Sequence, residues 1–506
     1  MAAPASPSSD DPETLKALLA EERAENERLR QIILAMQRHR FGRRAESLPE
    51  DQLLLGLEEA EQVEAAGFAA EETEPAKEVQ RAKRRTNRGA LPAHLPRVEC
   101  LVDIDSTACP CCSGALHRIG EDVSERLDVV PVQFRVLVIR RPRYACRACG
   151  DAVVQAPAPA RLIEGGLPTD ALVAQVLVSK YADHLPLYRQ AQIFARQGVS
   201  LDRSTLADWV GRAAFLLRPV HERLLETLKR SGKLFADETT APVLDPGRGR
   251  TKIGQLWAYA RDDRPWGGTD PPGVAYVYAP DRTAGRPIAH LSGFAGVLQV
   301  DGYAAYESLA KGGAVRLAYC WSHVRRQFYD LAAASPIATE TLSRIAALYR
   351  IEAEIRGRPA EERRAARQER SRPVVDALEA WLREKLGLLS RKSNLAEAIR
   401  YALSRWAGLS LFLDDGRIEI DSNAVERAIR PLTLNRKNAL FAGSDGGGEH
   451  WAVIASLVET CKLVGVEPQA YLADVITRIV DGHPQRRLDE LLPWAYPSTP
   501  PLQAVA

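Results

Sequence analysis

Three rhythms of apolar residues divide this chain. Near its start, Leu15, Leu19, Leu29, Ile33 and Met36 fall on the a and d positions of one heptad register, with Glu22 at a d position and Asn26 at an a position. This spacing predicts a short coiled coil in which a buried Asn fixes register and oligomer number; a single amphipathic helix packed on the rest of the chain is the alternative. From Glu58 to Pro92, Ala, Glu, Lys and Arg follow one another without an apolar stripe, the composition of a flexible linker.

The second rhythm is helical and runs from Thr169 to Ala214. "DALVAQVLVSKYA" reads as one helix, "LPLYRQAQIFARQG" as a second stopped by Gly198, and "SLDRSTLADWVGRAA" as a third that starts near Asp202 or Ser204. Helix, short Gly turn and polar-starting helix match a helix-turn-helix, which would set Arg203, Ser204 and Thr205 at the groove-facing end of a recognition helix. A three-helix bundle without DNA contacts fits the same pattern.

From Gly232 the rhythm becomes that of strands. "KLFADETTAPVL", "KIGQLWAYARD" and "GVAYVYAP", separated by turn-rich segments, predict an antiparallel meander. A helix-like "TAGRPIAHLSG", a strand "GVLQVD" ending at Asp301, a short helix, a strand "AVRLAYC" and a helix "WSHVRRQFYDLAAA" follow. Together they predict a mixed α/β sheet. Residues Ile337 to Ser410 are almost purely helical and read as an insertion.

These rhythms divide a multidomain α+β chain into a helix or coiled coil over residues 1–47, a charged linker over 48–95, a cysteine-bearing segment over 96–160, expected to bind zinc through its Cys-x-x-Cys pairs, and a helical, helix-turn-helix-like domain over 161–230. A mixed α/β core is expected over 231–335, a helical insertion over 336–412, the return of the core with a loop over 413–450, and a C-terminal helical region over 451–506.

Composition adds little to this picture. The 506 residues are 45% hydrophobic, enough for ordinary cores, and 68 Lys and Arg nearly balance 66 Asp and Glu. Net charge therefore says nothing of nucleic acid. Its distribution says more: basic residues gather at Arg38–Arg44, Arg81–Arg88 and Glu426–Lys437, although such runs are by default solvated faces. No apolar run reaches the roughly 18 residues of a membrane span, and the first residues lack the order of a secretory signal. A cytoplasmic protein with no membrane partner is expected.

The eight cysteines fit a reducing compartment, because they include two Cys-x-x-Cys pairs rather than an evenly spread set. "CPCC" and "YACRACG" form two knuckles joined by strand-like "FRVLVIRRPRYAC". Four thiolates so arranged bind one structural Zn2+, with Cys109, Cys112, Cys146 and Cys149 as ligands and Cys111 competing within the first knuckle.

The awkward residues are acidic. Asp237 and Glu238 sit in the middle of an apolar strand, where carboxylates are costly. Asp301 ends the fourth strand, and Glu426 lies one turn into the helix-like "DSNAVERAIRP". Should the first and fourth strands be neighbours, Asp237 and Asp301 converge, and Glu426 completes an all-oxygen platform suited to Mg2+. Two such ions about 3.5–4 Å apart promote in-line displacement at a phosphodiester. Glu238 should turn to the opposite face and take a structural role. Acids that merely cap helices or hold turns are the plain alternative. "GSDGGGEHWA" lacks the Gly-Lys-Ser/Thr ending of a phosphate loop, which excludes an ATPase of that class and leaves a flexible loop near the site or the DNA backbone.

Beyond this reading, "ADET", "LDPGRGRTKIGQLWAYARDD", "VDGYAAY", "CWSHVRRQF", "DSNAVERAIRPL" and "LFAGSDGGGEHWA" closely resemble the IS66 group of bacterial insertion-sequence transposases, in order and over essentially the whole chain. The resemblance implies a DDE-type transposase with a ribonuclease H-like core and a helical insertion before the third acid. It matches Asp237, Asp301 and Glu426 to the catalytic acids that bind Mg2+ or Mn2+, and Cys320 and His323 to a Cys-x-x-His motif; a thiol and an imidazole at this spacing could join in metal binding, but two ligands alone favour a structural or DNA-positioning role. It implies transposon-end and target DNA as partners, a homo-oligomer of at least two chains, and small accessory transposition proteins. Arg427, Arg430, Arg436 and Lys437 would neutralise phosphates near the site. The alternative function is a DNA-binding regulator or a catalytically inactive transposase remnant.

Overall fold

The computed structural model describes residue 134 and residues 136–145, 153–155, 158–163, 166–245 and 250–497. The expected coiled coil, the linker and the four zinc-ligand cysteines lie outside the described residues. A short antiparallel hairpin, β1 (Arg143–Ala145) and β2 (Val153–Gln155), brackets Cys146 and Cys149 in sequence.

Three helices come next: α1 (Asp170–Tyr181), α2 (Leu187–Arg196) and α3 (Arg203–Lys229). Thr169 caps α1 by accepting from the Leu172 amide, and Gly198, at φ +79°, supplies the left-handed turn after α2. The third helix departs from expectation. It does not end near Ala214 but continues through Pro219 to Lys229, because Leu217, Val220, Leu224 and Leu228 prolong the fully buried stripe begun by Leu206 and Ala213. Burial of that stripe outweighs the hydrogen bond that Pro219 removes.

The central sheet has five strands in the order β5-β4-β3-β6-β7. β3 (Lys233–Asp245), β4 (Arg250–Arg261) and β5 (Gly273–Ala279) form the antiparallel meander, while β6 (Gly296–Val300) and β7 (Val315–Tyr319) run parallel to β3. The short helices α4 (Gly285–His290) and α5 (Ala304–Ala310) connect β5 to β6 and β6 to β7. α6 (Trp321–Tyr329) follows β7 directly.

A helical lobe then leaves the sheet: α7 (Pro336–Ile355), α8 (Ala360–Ala366), α9 (Arg372–Leu388), α10 (Asn394–Ser404) and α11 (Trp406–Asp414). Its core, including Ile345, Leu348, Leu378 and Phe412, merges with Trp321 and Phe328 of α6. Inside it Arg363 and Arg367, both essentially inaccessible, are held by Glu352; Arg363 also donates to Glu419 at 2.8 Å, and Arg367 to the Phe412 carbonyl. The departure and the return are adjacent, since the Trp321 amide donates to the Ile420 carbonyl at 3.0 Å.

The chain closes with α12 (Asn423–Ala439), α13 (Asp445–Leu463) and α14 (Pro468–Val480). α13 packs on β5 and satisfies its open edge: Ser456 accepts from the Tyr276 amide at 2.8 Å, and Thr460 both accepts from the Val274 amide and donates to its carbonyl. A bare edge strand would template association, and these hydroxyls remove that liability. The segment "GSDGGGEHWA", expected as a flexible loop, is instead the start of α13. Ser444 caps it by accepting from Gly447, Asp445 pairs with Lys252 at 2.6 Å and accepts from Tyr278, and Gly448 lies where a Cβ would meet the Tyr278 ring at 2.6 Å. Gly448 there serves close packing. Among the described residues no helix is long and apolar enough to cross a membrane.

Candidate active site

The site grows from the junction of β3 and β6. Their parallel register pairs Lys233 with Val297 and Phe235 with Gln299; continued by two residues, it brings Asp237 level with Asp301. Asp237 is held mid-strand opposite Ala258 of β4. Its Oδ1 accepts from the Glu238 amide at 2.8 Å, and no ion pair among the described residues reaches it. Burial, then the negative charges of Asp301, Glu238 and Glu426, push its carboxyl up to about 7.

Asp301 sits in the turn after β6. Its Oδ1 accepts from the Tyr303 amide at 2.8 Å, while its backbone carbonyl accepts from the hydroxyl of Tyr401, which belongs to α10 of the helical lobe. Arg405 donates to the carbonyl of Gly302 at 3.2 Å. At φ +105°, with Arg405 Nε 2.6 Å from where a Cβ would stand, that turn position suits glycine alone. The lobe thus grips the turn that carries the second acid.

Glu426 lies in the first turn of α12, which packs against β3 and β4. The Ser422 hydroxyl donates to its Oε1 at 3.0 Å, and the Tyr276 hydroxyl holds the Ala428 carbonyl at 2.5 Å. Glu238, turned away from Asp237 by strand alternation, is almost fully covered; its carboxylate accepts from Arg282 and, at 2.8 Å, from the Tyr306 hydroxyl. The two carboxylates share a strand but differ in environment: Glu238 has a guanidinium and Asp237 has other acids.

A second grouping was missed from the sequence. The ligand atoms of Cys320, His323 and Glu426 all lie within 4.8 Å of one another, the one such cluster of three among the described residues. The Cys-x-x-His spacing signalled the first two members. The third could not be seen there, because α12 reaches α6 only across the insertion. Cys320 accepts from the Ser422 amide at 3.2 Å, and burial pushes its thiol up to about 11.

The residues expected to touch DNA are dispersed. Arg203 and Ser204 are exposed at the first turn of α3 and Thr205 is half-buried beside them. Arg427, Arg430 and Lys437 are exposed along α12. Arg436 is engaged instead with β3, donating to the Thr240 carbonyl at 2.8 Å and to its hydroxyl at 2.6 Å.

Comparison with known proteins agrees with this architecture along the chain. The family model described as Transposase IS66 family matches residues 165–450, and the IS66 C-terminal element matches 456–494. The zinc-finger binding domain of transposase IS66 matches 106–150, which supports structural zinc, and Transposase C of IS166 homeodomain matches 28–100. Among relatives in Sinorhizobium fredii, uncharacterized protein y4qI is 48% identical over 496 residues, covering 95% of this chain and 91% of that one. Uncharacterized protein y4jD is 52% identical over 417 residues, covering 81% and 82% respectively. The chain belongs to the IS66 family of transposases.

Proposed function

We propose that the chain is a DDE-type transposase that binds the terminal inverted repeats of an insertion sequence, cuts a DNA strand at each end to free a 3′ hydroxyl, and joins that hydroxyl to target DNA. The observation that carries this reading is the approach of acids from distant parts of the chain: the β3–β6 register, continued two residues past its last pair, sets Asp237 opposite Asp301, and Asp301 and Glu426 both lie near enough to raise the Asp237 carboxyl. A sheet in which an antiparallel meander is extended by two parallel strands supports a ribonuclease H-like core.

The donor set fits a hard divalent ion. Asp237, Asp301 and Glu426 offer only oxygen, and among the described residues the charge of Asp237 lacks a cationic partner, whereas its neighbour Glu238 has Arg282. Bound Mg2+ or Mn2+, in two sites, would polarise the scissile phosphodiester and the attacking oxygen. The chain's own part is positional. The Glu238 amide orients Asp237, the Tyr303 amide orients Asp301, and the Ser422 hydroxyl orients Glu426. Water is the nucleophile at the first step and the freed 3′ hydroxyl at the second, so no covalent enzyme intermediate forms.

Arg427 and Arg430 flank Glu426 on α12 and Lys437 lies in its last turn; all three would neutralise phosphates, with Arg436 bracing the helix against β3. Arg203, Ser204 and Thr205, with the zinc held by Cys109, Cys112, Cys146 and Cys149, would read the inverted repeats. Cutting at two ends calls for a cytoplasmic assembly of at least two protomers, aided by accessory proteins.

The test is magnesium- or manganese-dependent cleavage of DNA carrying the element's ends. Wild type cuts; Asp237→Asn and Glu426→Gln bind the same DNA but do not cut. Retained cutting in either variant rejects the assignment, and absence of cutting by wild type with full binding favours the regulator or inactive remnant. Joined products from end DNA bearing a free 3′ hydroxyl separate a transposase from a plain nuclease.

A further inference from the structure

We propose that Cys320, His323 and Glu426 form a site for one borderline-soft divalent cation of the Zn2+ or Co2+ class, separate from the zinc-finger segment. The fold presents the three groups together. Cys320 follows β7 as the cap of α6 and His323 lies three residues on, so both face the same side of its first turn. The insertion returns beside them through the bond from the Trp321 amide to the Ile420 carbonyl, which delivers the start of α12 and Glu426.

The surroundings suit ligation. Cys320 is 1% exposed and accepts a backbone amide, that of Ser422 at 3.2 Å, which offsets part of what burial costs a thiolate and leaves the rest for a cation to supply. The Ser422 hydroxyl fixes the Glu426 carboxylate. His323 Nδ1 is inaccessible and has no hydrogen-bond partner, and it stands 3.9 Å from Glu426 Oε1, too far to share a proton. An orphaned ring nitrogen facing a thiol and a carboxylate is a group short of one partner.

Thiol, imidazole and carboxylate together select against Mg2+ and for Zn2+ or Co2+. Three protein ligands leave a fourth position for water. On binding, the S–H bond is exchanged for a metal–sulfur bond and the proton passes to solvent. The site would tie α6 to α12 across the two ends of the insertion. It shares Glu426 with the acidic cluster but needs neither Asp237 nor Asp301, so it stands independently of the DNA-cutting reading.

Metal content and cobalt absorption of the full-length protein test the site. Wild type should hold one equivalent more than the zinc-finger segment accounts for. Cys320→Ser and His323→Gln should each lose that equivalent, Cys320→Ser with its share of thiolate-to-cobalt absorption, and weaken the extra site by more than about tenfold. Asp237→Asn should keep it, even where it abolishes cutting. Because Cys320 is buried, the half-exposed His323→Gln is the decisive variant should Cys320→Ser fold poorly by circular dichroism. Wild-type stoichiometry and spectrum in a folded His323→Gln protein overturn the proposal, as does loss of the equivalent in Asp237→Asn.

Discussion

Replacing Asp237 by Asn should stabilise the metal-free protein, and the gain should depend on pH in a defined way. The folded state holds the Asp237 proton more tightly than the unfolded chain, with its carboxyl raised from 3.8 to about 7. A raised acid contributes stability fully below the unfolded value, about pH 4, and loses it as pH rises through the folded value, about pH 7. The cost of keeping Asp rather than Asn is therefore well under 1 kcal/mol at pH 4, about 2 kcal/mol at pH 5 and about 4 kcal/mol above pH 7. Asn retains the oxygen that accepts the Glu238 amide, so little else changes. Thermal melts of both proteins in chelator, from pH 4 to 8.5, should show the variant melting several degrees higher at pH 8 and the gap closing in acid. Magnesium added at pH 8 should raise the wild type alone and narrow the gap. A gap that is flat across this range, or a variant less stable at pH 8, refutes the account of Asp237 as a buried carboxylate crowded by other acids.

Other perturbations test the supports of the site. Glu352→Ala strands two buried guanidiniums and should cost about 3–5 kcal/mol, seen as a lowered melting temperature or failure to fold. Tyr401→Phe removes one hydrogen bond to the Asp301 carbonyl, a loss of about 1 kcal/mol in stability; strand cleavage should fall by more than that change accounts for, while DNA binding is unchanged. Gly448→Val drives a side chain into the Tyr278 ring and should destabilise the protein by about 1–3 kcal/mol in chemical denaturation.

The sheet was largely legible because its strands are apolar and bounded by turn residues, and because an Asp in the middle of one of them has no ordinary reason to be there. The ends of helices were less so. Pro219 marks a break in local propensity, and only the buried stripe that continues through Leu217, Val220 and Leu224 shows why α3 ignores it. Three consecutive glycines suggested a loop where the backbone in fact winds into α13, and the ring of Tyr278, distant in sequence, determines the use of the last of them, Gly448. The grip of Tyr401 and Arg405 on the Asp301 turn, and the approach of His323 to Glu426, join elements on opposite sides of a long insertion. No periodicity or spacing encodes such meetings; they arise when the lobe folds back on the sheet.

That the lobe leaves and rejoins the sheet at residues sharing a hydrogen bond has an evolutionary consequence. A cassette with touching ends can be exchanged between related genes without rerouting the strands around it. It is not a neutral ornament, however: any replacement must bring its own hydroxyl and guanidinium to the carbonyls of Asp301 and Gly302, or the sheet keeps a sound framework beside a loosened Asp301 turn.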